Sequence, residues 1–314
     1  LHSFPTRRSS DLEIYHPLKI FVCEKCWLVQ MEEHKSSAEI FCADYAYYSS
    51  FSTSWLNHSK KYVQKMIERF QLDIHSLVTE VASNDGYLLQ YFLESSIPCV
   101  GVEPTHGTAC AEREKGVETI EEFWSSASAA EFVAKRGHCD LMLGNNVLAH
   151  VPDINDFLKG FRLALKPEGV VTFEFPHLMR LVERNQFDTI YHEHYSYLSL
   201  TAVSEILKAN GLALFDVEEL TTHGGSLRIY AQRSDSERQC CSERVGEILE
   251  KERYLGMRTT EYYSNFQCKA DKVKNDFLSF LIAAKRDGKR VAAYGAAAKG
   301  NTLLNYAGIR GDLL

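Results

Sequence analysis

An α/β fold built on a doubly wound parallel sheet is predicted by three observations. From residue 77 onward, short apolar runs alternate with helix-patterned stretches, the order that makes a parallel sheet with crossover helices. The first run, Leu77-Val78-Thr79-Glu80-Val81-Ala82, hands over to a turn of small residues, Ser83-Asn84-Asp85-Gly86. The second, Cys99-Val100-Gly101-Val102, ends on an acid, Glu103. In open α/β sheets ligands sit at such carboxyl ends, against the N–H groups of the following helix.

The elements follow in order. Phe4 to Leu12 resembles the translation of a sequencing adaptor, so residues 1–12 are set aside as non-native. Residues 13–54 are short, aromatic and loop-like, with a Cys-x-x-Cys at Cys23 and Cys26. Apolar residues at helical spacing (Tyr62, Met66, Ile67, Phe70) predict a helix over 55–70 that opens a core domain of residues 55–215. After the first strand a helix is expected over 86–93, and after the second over 107–115. Asp140 to Gly144 is the next strand, ending at Asn145-Asn146, and a helix over 155–165 stops before the turn Lys166-Pro167-Glu168-Gly169. Val170 to Phe175 is the following strand. Residues 216–314 read as a second, incomplete unit. Strands at 214–218 and 226–231 pair around His223-Gly224-Gly225, a charged helical region runs over 236–286, and Arg290 to Gly295 is expected to begin another nucleotide-binding-type sheet.

Composition narrows the function. A formal net charge of −7 gives no basic face for nucleic acid. No apolar run is long enough to span a bilayer. Nine irregularly spaced cysteines read as reduced, cytosolic thiols.

Two constellations carry chemistry. In the first, Glu80, Ser83, Asn84, Asp85 and Gly86 form the turn, Glu103 is placed for ribose hydroxyls, and Asn145 and Asn146 lie on the same sheet edge. This arrangement suits NAD or S-adenosylmethionine (SAM). A single glycine, with Asn84-Asp85 crowding any pyrophosphate, favours SAM. The second is Tyr191-His192-Glu193-His194, a dense group of ionisable side chains past the strand at 170–175. Adjacent residues do not converge on one metal ion, whereas imidazoles with a nearby carboxylate suit general acid–base work. A hydrogen-bonded loop anchor is the bland alternative.

Taken together, Glu80–Gly86, Val102–Pro104, Asn146–Val151, Phe187–Tyr195, His223–Gly225 and Tyr294–Lys299 resemble, in this order, the SAM-dependent sugar-nucleotide C-methyltransferases of deoxysugar biosynthesis. The likeness runs from about Leu18 to Leu314. It implies a zinc-binding N-terminal domain, a Rossmann-like SAM-binding core and a C-terminal nucleotide-binding-like domain. It implies methylation at C-3 of a 4-keto-6-deoxysugar carried on a nucleoside diphosphate. His194 is then the base, with Tyr191, Glu193, His150 and Tyr45 around it. His223, Gly224, Tyr294, Gly295 and Lys299 then hold the sugar nucleotide. The family's zinc takes two Cys pairs. Only Cys23 and Cys26 are present, a half-site, so zinc is expected for an intact protein and weak or absent in this chain. The competing readings are an NAD-dependent oxidoreductase and a truncated, inactive SAM-binding protein.

Overall fold

The computed structural model describes residues 16–42, 45, 47–236, 238–294 and 298–314. The adaptor-like stretch and Gly295 lie outside the described residues. Strands β1 (Ile20–Val22) and β2 (Val29–Met31) form a hairpin. The central sheet takes β3 (Val78–Val81), β4 (Cys99–Val102), β5 (Glu118–Ile120), β6 (Cys139–Asn145) and β7 (Leu165–Pro176). The two-residue β8 (Ser196–Tyr197) joins β1 and β2 in a small antiparallel sheet. β9 (Leu212–Leu220) and β10 (Ser226–Arg233) complete the set.

The central sheet runs β5-β4-β3-β6-β7-β10-β9. Its first five strands are parallel, and β10 is antiparallel to both its neighbours. Every residue of β3 and of β4 is buried, as expected where helices cover both faces of a parallel sheet. The order reverses between β3 and β6, which opens a crevice at the carboxyl ends of those strands.

Two apolar layers flank the sheet. One packs Trp124, Phe132, Phe157, Phe161, Phe173 and Leu207, and the other packs Tyr62, Met66, Leu88, Phe92, Leu141 and Tyr230. Each such side chain contributes roughly 1.5–3 kcal/mol by leaving water. The helix Thr53–Phe70 lies on the second layer through Tyr62, Val63 and Met66; Ser52 caps its start and Gln71, at φ +52°, ends it. Its first turns reach the crevice and carry Trp55 there.

Three expectations change. The paired strands at the start of the supposed second unit belong to the core sheet: β9 crosses the boundary at 215/216, and Phe215, Val217, Leu227 and Ile229 are buried in the central layers. The turn at Lys166–Gly169 is drawn into β7 as an irregularity, with Cys139 facing Leu165 but Leu141 facing Val170. Arg290 to Tyr294 forms no strand, and Tyr294 is fully exposed; without a neighbouring strand there is no ladder to hold that conformation. The helical region resolves into helices Glu243–Tyr254, Thr260–Ser264 and Phe266–Arg286, and a further helix spans Ala298–Ala307. Among the described residues, no helix is long and apolar enough to cross a membrane.

Candidate active site

A cleft of about 1130 Å³ follows the carboxyl edge of the sheet. The turn after β3 shapes one wall. Ala82 (φ +59°), Asn84 (+54°) and Gly86 (+71°) all adopt left-handed backbone. That conformation is free for glycine, tolerated by asparagine and strained for alanine.

The side chains of this turn divide by direction. Asn84, Glu103, Asn145 and Asn146 line the cleft, whereas Glu80, Ser83, Asp85 and Gly86 do not. Fully buried Glu80 accepts a hydrogen bond from the Tyr87 hydroxyl (2.9 Å), and burial pushes its carboxyl well above the usual range. Ser83 donates to Glu112 (2.6 Å), a carboxyl that burial raises to about 8. Asp85 pairs with Lys115 (3.1 Å). These three support the turn from behind, because a turn pressed onto a packed helix must send alternate side chains inward. Glu103 accepts from the Asn84 N–H and the Thr105 N–H, both at 2.9 Å. A carboxylate so held retains lone pairs for a ligand.

The residues fit a SAM-type ligand at this edge. Oδ1 of Asn145 and Oδ1 of Asn146 are buried beside the cleft and have no hydrogen-bond partner among the described residues. Orphaned acceptors of this kind call for a donor from water or a ligand, such as an ammonium group.

The second wall carries the ionisable cluster. Tyr45, His150, Tyr191, Glu193 and His194 all line the cleft. His194 is buried, and its Nδ1 lies 3.0 Å from the Thr189 carbonyl. A carbonyl only accepts, so this contact places the proton on Nδ1 and leaves the Nε2 lone pair free. The His150 ring is 4.7 Å away and the Tyr191 ring 4.2 Å. The Tyr195 N–H donates to the Ala149 carbonyl (2.7 Å), which locks the two segments together. Burial, then His150, lowers His194 well below the ordinary histidine value, and burial lowers His150 to about 4. Burial raises Glu193. Burial and then Glu193 raise the phenols of Tyr45 and Tyr191, which keeps both as hydrogen-bond donors. His192 points elsewhere: its ring packs against His16 and His34, and its Nε2 lies 3.3 Å from the Pro17 carbonyl.

At the far end, His223 and Lys299 line the cleft, but Gly224 and Tyr294 do not. His223 holds a left-handed backbone (φ +50°), contacts Asn146 Nδ2 at 3.2 Å and meets the Trp55 ring edge-on at 5.4 Å. Gly224 is structural: its carbonyl accepts from Arg184 (2.7 Å) and Gln186 (3.2 Å), and a Cβ there would strike the Gln186 amide. Tyr294 stands in solvent, outside the cleft.

Sequence reasoning missed the support beneath this end. Glu174 on β7 faces Arg228 on β10 directly across the ladder. Its carboxylate meets Arg228 (2.6 Å), His58 (2.8 Å) and the Thr222 hydroxyl (2.9 Å). Burial alone would raise Glu174, but His58 and Arg228 outweigh it and hold the group below the usual range. The available signal was a single acid within Val-Val-Thr-Phe-Glu-Phe, since buried charges are rarely left unpaired.

Cys23 and Cys26 sit in the turn between β1 and β2, away from the cleft, where Trp27 takes φ +61° and its N–H donates to the Cys23 carbonyl (2.8 Å). Among the described residues, no group of three or more His, Cys, Asp or Glu side chains is arranged to hold a metal ion. Two thiolates do not complete a tetrahedral zinc site.

Comparison with known proteins turns this geometry into a family. Residues 57–217 match a family model described as a methyltransferase domain, and residues 221–314 match a C-methyltransferase C-terminal domain. The C-methyltransferase NovU of Streptomyces niveus is 33% identical over 297 residues, 95% of this chain and 70% of NovU. The chain belongs to the C-methyltransferase family. Residues 1–41 of this C-methyltransferase match a model described as "Putative zinc binding domain". Among solved structures, a magnesium protoporphyrin IX methyltransferase (ChlM) from Synechocystis PCC 6803 with bound SAM is 13% identical, with a TM-score of 0.45, covering 63% of this chain and 89% of that one. A DhpI–SAH complex is 20% identical, with a TM-score of 0.42, covering 60% and 92%. The strand order and the methyltransferase-domain match describe a class I SAM-dependent enzyme. Family membership displaces the oxidoreductase reading.

Proposed function

We propose that this C-methyltransferase acts on C-3 of a nucleoside-diphosphate-linked 4-keto-6-deoxysugar. The observation that carries the reading is His194, whose Nδ1 faces the Thr189 carbonyl and which lines the cleft together with the phenols of Tyr191 and Tyr45. A carbon acid next to a ketone needs a positioned base and donors for the oxyanion that develops. His194 Nε2 takes the C-3 proton, the C–H electron pair moves into the adjacent carbonyl, and Tyr191 or Tyr45 donates a hydrogen bond to the enolate oxygen. When bound, SAM supplies a methyl group on a sulfonium that departs as a neutral thioether. Glu103, Asn145 and Asn146 would hold it, against the backbone of the Ser83–Gly86 turn. The sugar-nucleotide class is supported by the resemblance of the six motifs to the sugar-nucleotide C-methyltransferases and by Lys299, which stands at the start of the helix Ala298–Ala307, a position suited to phosphate.

The test is exchange in deuterated water with a nucleotide-linked 4-keto-6-deoxysugar, with and without SAM. Deuterium is expected at C-3 with the native protein and not with His194→Gln. A methyl group found on oxygen, or exchange undiminished by His194→Gln, would sink the reading.

A further inference from the structure

Asn84 and Asp85 fall in the cofactor turn, yet their side chains are committed elsewhere. The Asn84 amide is used at both ends: Oδ1 accepts from the Ser49 N–H (2.8 Å), and Nδ2 donates to the Tyr47 carbonyl (3.0 Å). Asp85 Oδ2 accepts from the Ser50 N–H (3.3 Å) and faces Lys115 Nζ (3.1 Å), which in turn donates to the Ser50 hydroxyl (2.7 Å). Asn84 is 8% exposed and Asp85 3%. These bonds fasten a strap, Tyr47 to Phe51, to the turn. Tyr45 lies just before that strap, its ring against Phe41 (5.3 Å), which meets His150 (5.7 Å). The Asn84 N–H also donates to Glu103, the acid at the end of β4. One residue therefore links the cofactor edge to the tyrosine wall.

We infer that Asn84 and Asp85 are positioning residues for Tyr45, clasping the strap that sets its phenol over the cleft, and that Asn84 acts on catalysis through this clasp instead of through side-chain contact with the cofactor. The inference rests on the proposed role of Tyr45 as an oxyanion donor. The physical reason is leverage. A phenol acts only within about 0.5 Å of its productive position, and the strap is held to the core by these few bonds to short side chains.

Asn84→Gly is the informative change. Glycine keeps the left-handed backbone of the turn at no steric cost and preserves the N–H to Glu103, while deleting both clasp bonds. Calorimetry with S-adenosylhomocysteine reads the cofactor edge, and steady-state kinetics with a nucleotide-linked 4-keto-6-deoxysugar reads the tyrosine. Amide hydrogen exchange at Ser49 and Ser50 reads the strap. The expected result is S-adenosylhomocysteine affinity within about threefold of native, kcat lowered roughly tenfold or more, and faster exchange at both serine amides. Combined with Tyr45→Phe, no further loss of kcat is expected, because both changes remove the same donor. Asn84→Asp, which retains the acceptor for Ser49, should recover part of kcat.

Loss of S-adenosylhomocysteine affinity by the same factor as kcat would overturn the inference, and so would losses that multiply in the double variant. Full activity of Tyr45→Phe alone would instead remove the tyrosine's proposed role, a distinct outcome that leaves the amide-exchange result to report on the clasp itself.

Discussion

Burial and then the neighbouring His150 lower His194 well below the ordinary histidine value, and burial lowers His150 to about 4, so both rings are neutral at physiological pH. A base with a depressed pKa stays in its basic form as pH falls, so the acid limb of deuterium exchange is expected well below pH 6.5. A limb near pH 7 or above, measured by mass spectrometry of the sugar, would contradict the assignment. The same depression costs stability on acidification. The unfolded chain takes up these protons first, from about pH 6.5 downward, so rates must be read where the fold persists. Glu112 behaves oppositely. Its carboxyl is raised to about 8 from 4.5, so its contribution is intact below pH 4.5 and is lost as pH rises to 8. Glu112→Gln keeps an acceptor for Ser83 and removes that loss. Urea unfolding should show the variant gaining on the native protein by on the order of 2–4 kcal/mol between pH 5 and pH 8; parallel pH curves would refute the raised carboxyl. The residues legible in the sequence were those whose neighbours are close in the chain, as with Tyr191 to His194. His58 and Glu174 meet across 116 positions, and no local pattern encodes that encounter. The Ser83–Gly86 turn was legible as backbone, but which of its side chains face inward depends on helix His106–Glu114 behind it.

Among the elements, one buried clamp joins three. Glu252, on helix Glu243–Tyr254, accepts from the Leu200 and Thr201 N–H groups (2.7 and 2.8 Å) at the start of helix Leu200–Ala209, and from His177 (2.7 Å) just past β7. Burial would raise its carboxyl, but His177 and Thr201 reverse that and hold it low. Its stabilisation is therefore present above the usual carboxylate range and lost in acid. Glu252→Ala leaves two helix N–H groups and His177 without their acceptor and should cost about 3–5 kcal/mol. A lower urea midpoint at unchanged slope is the expected readout, and a change under about 1 kcal/mol would show the clamp to be dispensable. Strands such as β4 and β7 were readable as apolar runs of the right length. β5, three residues of mixed polarity, was not. The β9–β10 hairpin was readable as a pair, but its place in the central sheet was not, because pairing of β10 with β7 is nonlocal.

For the molecule as a whole, a ligand that binds only the folded state shifts its stability. S-adenosylhomocysteine at about 100 times its Kd should add about 2.7 kcal/mol and raise Tm by several degrees. NAD should do neither. A thermal shift with NAD and none with S-adenosylhomocysteine would reverse the cofactor assignment. A shift with S-adenosylhomocysteine but no deuterium exchange would mark a chain that binds without turning over. The doubly wound core was legible at this scale because the crossovers at His106–Glu114 and Ile154–Ala164 left their period in the sequence, although helix Ser126–Arg136 was not read.

Gly101 has a consequence for how this protein can change. A Cβ at that position would fall on the Glu112 carboxyl, so the bare strand position and the buried acid were set as one choice. Gly101→Ala meets that carboxyl and Glu112→Ala orphans the Ser83 hydroxyl, and shortening residue 112 relieves the clash at 101 while Ser83 stays without its acceptor. The coupling runs in one direction: an alanine at 101 is accommodated once residue 112 is shortened, so a stabilising design that replaces strand glycines has to treat the two positions together.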